Sequence, residues 1–179
     1  MNERSTLRRL IMAGLFLAMA YVMPFLTGQI PEIGSKLCPM HIPVLLCGFI
    51  CGGGWGLAVG FTAPLIRSLT LGVPILFPAA VCMAFELGVY GLTAGLTRKL
   101  YPRKKPYVYL SLLTAMTAGR LVWGVATFIC LASSGGAFTL SAFLAGAFTN
   151  AIPGIIVQIA LIPPVVMILE KRNPCLQNK

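Results

Sequence analysis

The sequence predicts an all-α membrane protein, a compact bundle of six transmembrane helices with both termini in the cytoplasm. Three observations predict it. Apolar residues make up 58% of the 179 residues and charged ones 10%, giving a mean hydropathy of +0.88. Successive apolar runs meet or approach the ~20 residues needed to cross a ~30 Å hydrocarbon core. The basic residues gather between those runs, as Arg4, Arg8 and Arg9, then Arg98, Lys99, Arg103, Lys104 and Lys105, then Lys171, Arg172 and Lys179. By the positive-inside rule the three clusters face the cytoplasm, and an even number of spans returns both termini to that side. The net charge of +10 therefore points to membrane flanks, not to nucleic acid.

The chain is short enough for one domain, 1–179. The first span, 7–27, is too long for the core of a signal peptide and reads as a retained helix. It stops at the turn signal Gly28-Gln29-Ile30-Pro31. A polar segment to Pro39 follows, long enough to fold over a cavity. The second span, 41–51, is short for a crossing, and Gly52-Gly53-Gly54 breaks it. The third covers 55–71. Gly72-Val73-Pro74 to Phe77-Pro78 leads into the fourth, 78–96. The basic linker comes next, then the fifth span, 108–131, and a turn at Ser133-Ser134-Gly135-Gly136. The sixth, 139–169, is long enough to tilt or to kink at Pro153 and at Pro163-Pro164. No internal repeat is visible, which argues against an inverted-repeat carrier.

Charges inside such spans are costly and mark function by default. This chain keeps Arg67, Glu86 and Arg120 there, a sum of +1 that suits a cavity for one negative charge. At 1.5 Å per residue, Arg120 and Asn150 both lie roughly 16 Å below the outer surface, Glu86 roughly 12 Å and Arg67 roughly 6 Å. Arg120 and Asn150 can thus meet at one level. Arg120 is too deep to snorkel and is read as a ligand contact, while Glu86 is read as a structural partner of Arg67 or Arg120. Arg67 has three readings: a gate, a partner of Glu86, or an anchor snorkelling to the headgroups. Asn150 bonds either a ligand or a neighbouring helix. His41 caps the second span, anchors the loop or touches substrate. Trp123 and Tyr90 share helix faces with Arg120 and Glu86 and are further lining candidates.

Six cysteines are too scattered for a disulfide framework, and no His/Cys set has metal-ligand spacing. With His41 the only histidine, no nucleophile and base converge, so an enzyme is not expected. A channel is not expected either, because polar residues cluster in one half of the bundle. Ala13, Gly14 and Ala18 in the first span offer a flat face where another helix can approach closely.

The run Met40-His41-Ile42-Pro43-Val44-Leu45-Leu46-Cys47-Gly48, with Pro64-Leu65-Ile66-Arg67-Ser68, Ala84-Phe85-Glu86-Leu87-Gly88-Val89-Tyr90-Gly91, Ala118-Gly119-Arg120 and Asn150-Ala151-Ile152-Pro153, resembles the S components of energy-coupling factor (ECF) vitamin importers. The resemblance implies a six-helix subunit of the bacterial cell membrane that binds a vitamin from outside under the loop between spans one and two. It also implies docking through an Ala-x-x-x-Ala face of the first span onto a membrane coupling subunit driven by two cytoplasmic ATPases. Here Gly14 stands where Ala would pair with Ala18. The chain itself lacks a phosphate-gripping loop, since no Lys-Ser/Thr follows Gly52–Gly54. Neither cofactor nor metal is implied. A +1 cavity with an amide-bearing Asn suits a monoanion with amide and hydroxyl groups, such as pantothenate. Folate, pyridoxine, riboflavin and a cobalamin precursor are the alternatives.

Overall fold

The computed structural model describes residues 3–27, 37–102, 104–133, 139 and 151–172. Among these the chain forms six α-helices and no strand: α1 (Glu3–Val22), α2 (His41–Cys51), α3 (Gly53–Leu71), α4 (Val81–Leu100), α5 (Lys105–Ser133) and α6 (Ile152–Arg172). Most of the polar segment after α1, the turn before Thr139, residues 140–150 of the expected sixth span, and with them Asn150, lie outside the described residues.

Several boundaries differ from expectation for local reasons. α1 gives way at Met23 to a 3-10 turn, Met23–Thr27, because the residue before Pro24 is biased away from helical geometry. Of the three glycines after α2, only Gly52 breaks the helix. It has φ 101°, open to a residue without Cβ, whereas Gly53 and Gly54 begin α3. α3 ends at Gly72, left-handed at φ 69° with its N–H bonded to the Ser68 carbonyl, the usual glycine C-cap. α4 begins at Val81 rather than Pro78, after the wide turn Leu76–Ala80 in which the Ala80 N–H reaches the Ile75 carbonyl at 2.9 Å. It continues past Leu96 to Leu100 and stops at Tyr101, extended before Pro102. Arg98 and Lys99 in its last turn favour that extension, as cations do at a helix C-terminus. Pro153 does not kink α6 but stands in its first turn, where no N–H is needed. α6 runs unbroken through Pro163 and Pro164.

Among the described residues, four helical stretches are long and apolar enough to cross a membrane: Thr6–Phe25, Leu76–Leu100, Lys105–Ala132 and Ile152–Lys171. α2 is apolar but has only 11 residues, and α3 is diluted by four glycines, Pro64 and Arg67. Every residue of α2 is buried, as expected of a helix that is apolar all round. It is the axis of the bundle, packed by α1, α3, α4 and α6. The outer helices expose Leu7, Ile11, Leu15, Leu113, Leu121, Val125, Ile156 and Ile168, the face such a bundle presents to lipid. Thr62, Thr70, Thr93, Thr97, Thr114 and Thr117 turn their hydroxyls back onto the carbonyl four residues earlier. That satisfies them where water is absent.

Two devices hold the bundle together. A glycine seam lets α3 and α4 touch backbone to backbone: a Cβ on Gly91 would strike the Gly56 carbonyl, and one on Gly60 the Leu87 carbonyl. Gly95 lies as closely against Gly53, so the two helices run antiparallel in fixed register. At the far end, Arg98 of α4 bonds Glu170 of α6 in bidentate fashion, Nε to Oε1 at 2.8 Å and Nη2 to Oε2 at 2.6 Å. The sequence places Arg98 in a solvated basic cluster; the structure buries it.

Candidate functional site

Three helices and one loop bring five polar side chains together inside this apolar bundle. Arg120 of α5 sets Nη1 at 3.0 Å from Oε1 of Glu86 on α4. His41, the first residue of α2, sets Nε2 at 3.5 Å from the same oxygen. The Tyr90 ring, one turn along α4 from Glu86, meets the His41 ring edge-on with centroids 5.1 Å apart. Cys38, just before α2, receives Nη2 of Arg120 at 3.8 Å on its sulfur. Glu86 and His41 are each 2% exposed and Tyr90 is fully enclosed.

Local sequence explains the convergence. Gly119 packs on the Tyr90 ring and the Glu86 carbonyl, where a Cβ would come within 3.0 Å and 3.1 Å. Only the missing side chain lets α5 approach α4 closely enough for the next residue, Arg120, to reach Glu86. Cys38 has a positive φ of 47°, unusual without glycine, and its carbonyl accepts the His41 N–H at 3.0 Å. That turn starts α2 and presents the thiol to Arg120.

The cluster is incompletely satisfied. Both ring nitrogens of His41, Oε1 of Glu86, the Tyr90 hydroxyl and Nε of Arg120 are buried without a well-directed hydrogen bond among the described residues. The Arg120–Glu86 and His41–Glu86 approaches are thus electrostatic contacts and not aligned hydrogen bonds. Buried polar groups are normally paired, so five loose ends in one place mark a site that a polar ligand can complete. Formally the Arg120–Glu86 pair sums to zero.

Arg67 does not join this cluster. Its Nη1 donates to the Tyr21 carbonyl at 2.7 Å, and its guanidinium lies 5.0 Å over the Phe25 ring. Tyr21 returns the tie through its hydroxyl, 3.1 Å from that of Thr70. Since Gly60 abuts Leu87, Arg67 stands about 10 Å farther along α3 than the Glu86 level. Of its three readings, the partnership with Glu86 is replaced by a clasp on the end of α1. The +1 sum over Arg67, Glu86 and Arg120 accordingly does not describe one cavity.

Trp123 is half-buried one turn beyond Arg120. Asn150 lies outside the described residues. The first-helix trio divides: Gly14 and Ala18 are exposed, with nothing within 4 Å of a Cβ built on Gly14, whereas Ala13 faces the core. Sequence reasoning missed Cys38, which sits in a segment read only as a loop. It could have been found from its place three residues before His41.

A family model described as the ECF transporter, substrate-specific component, matches residues 8–166 of the chain. No curated protein matches it, and no solved structure does.

Proposed function

Because the chain belongs to the family of ECF transporter substrate-specific components, and is thus a multi-pass membrane transport subunit and not an enzyme, we propose that it captures a monoanionic micronutrient such as pantothenate. The carrying observation is the buried Arg120–Glu86–His41 cluster with its unpartnered polar atoms. Arg120 turns Nη1 to Glu86 and Nη2 to the Cys38 sulfur and leaves Nε without a hydrogen bond among the described residues, so a carboxylate can dock at Nε. Glu86 and His41 then meet hydroxyl or amide groups of the cargo, and the apolar walls take its hydrocarbon. Asn150 remains a proposed contact, as do Tyr90 and Trp123. Arg67 acts on the site by fixing the end of α1.

In this reading six helices lie in the membrane, both termini are cytoplasmic, and the Arg98–Glu170 end of the bundle faces the cytoplasm. Components of this family work with a membrane subunit and ATPase subunits. Here the open Gly14–Ala18 face of α1 is the proposed docking surface for the coupling subunit of an ATP-driven importer in the bacterial cell membrane. One observation favours a second cargo class. Oε1 of Glu86 lacks a directed hydrogen bond, which would suit a cationic or pyridine-type vitamin.

Equilibrium binding of pantothenate, folate, riboflavin and pyridoxine to the purified chain separates the two. The expected result is pantothenate binding, weakened about 10- to 100-fold in Arg120→Ala by loss of a charged hydrogen bond. Pyridoxine binding that depends on Glu86 and survives Arg120→Ala would replace this reading with the second.

A further inference from the structure

Gln158 is a buried polar side chain that the cluster above does not include. It lies on the buried stripe of α6 with Gly154, Ile162 and Val166. It is 1% exposed, and its Oε1 has no hydrogen-bond partner among the described residues. A buried amide oxygen without a donor is destabilising, so its presence in an apolar helix calls for a donor from elsewhere.

The height of Gln158 follows from the Arg98–Glu170 bridge, which levels α4 with α6. Glu86 stands twelve residues before Arg98, and Gln158 stands twelve before Glu170. Both helices are continuous over those stretches, so each residue lies about 18 Å from the bridge. α6 packs against α2 and α5, the helices that carry His41 and Arg120. An acceptor with no donor therefore sits at the level of the charged cluster, on a helix in contact with two of its three walls.

Resting on the substrate-binding reading above, we propose that Gln158 is a specificity-determining contact: its Oε1 accepts a hydrogen bond from a hydroxyl or amide N–H of the cargo while Arg120 takes the acid group. The class of ligand is then an acid with a hydroxyl or amide N–H donor in its body. An acid with a purely hydrocarbon body would leave Oε1 unpaired and be rejected.

The test is equilibrium binding of pantothenate, folate, riboflavin and pyridoxine to wild type and to Gln158→Met, with the melting temperature of the empty proteins as a second readout. The expected result is binding about tenfold weaker in Gln158→Met, with an empty variant that melts no lower than wild type because an unpartnered acceptor is gone. A vitamin bound equally well by wild type and variant overturns the inference alone, whatever the melting temperature does. Should Gln158→Met fail to fold, Gln158→Asn, which withdraws the amide by one methylene, is read by the same criterion. Wild type that binds none of the four defeats the reading of the site and this inference with it.

Discussion

Nη1 of Arg120 lies 3.0 Å from Oε1 of Glu86, in an enclosure where both charges are shielded from solvent. Removing one partner of a buried pair leaves the other uncompensated, at a cost of about 3–5 kcal/mol. Arg120→Ala and Glu86→Ala are each expected to lower the melting temperature in detergent. The double replacement Arg120→Met with Glu86→Gln recovers much of the stability without recovering cargo binding. A double variant that regains binding contradicts the assignment of Arg120.

Arg67 holds the end of α1, and in the proposed reading it does not meet the cargo's charge. Arg67→Ala forfeits a charged hydrogen bond to the Tyr21 carbonyl, worth about 1.5–3 kcal/mol, plus the contact with Phe25. The expected outcome is a clear loss of thermal stability with a smaller loss of affinity than in Arg120→Ala. Equal losses of affinity in both variants, measured by titration, would return Arg67 to the binding cavity.

The glycine seam predicts a sharp contrast between neighbours. Gly91→Ala drives a methyl into the Gly56 carbonyl, and overpacking of this kind costs about 1–3 kcal/mol. Gly54→Ala meets nothing within 4 Å, and in a helix such a change gains about 0.5–1 kcal/mol. Melting curves of the two variants should therefore move in opposite directions.

Arg98 and Glu170 form the second tie. Arg98→Leu takes the bidentate cation away from Glu170, and Glu170→Leu leaves the buried Arg98 guanidinium without its carboxylate. The pair replaced together should be more stable than either single variant. A double-mutant cycle with additive losses would show that the bridge couples nothing.

The proposed docking uses a different face. Gly14→Trp and Ala18→Trp fill open space on α1, so vitamin binding by the isolated chain should persist while uptake with the ATPase module is lost. Binding and uptake lost together would mean that α1 shapes the site.

The helices were legible because apolar runs and proline–glycine punctuation act locally. His41–Cys51 even matched to the residue, since Pro39 and Gly52 bracket it. Helical rise put Glu86 within about a turn of Arg120 but left its partner open between Arg67 and Arg120; the structure pairs it with Arg120. What sequence could not reveal depends on which faces meet. Arg67 has the same chemistry as Arg120, yet it finds a backbone carbonyl on α1 before it finds a carboxylate. Arg98 reads as one more basic flank residue until Glu170, 72 positions away, buries it. Nothing in the sequence alone singles out Gly56, Gly60, Gly91 and Gly95; only the crossing of α3 and α4 gives their spacing meaning.

Native mass spectrometry of the purified wild type and of Arg120→Ala reads the chemistry of any co-purified small molecule directly. The expected ligand is a carboxylic acid, bound to wild type and absent from the variant. A ligand without a carboxylate, or one retained in full by Arg120→Ala, would contradict the assignment of Arg120.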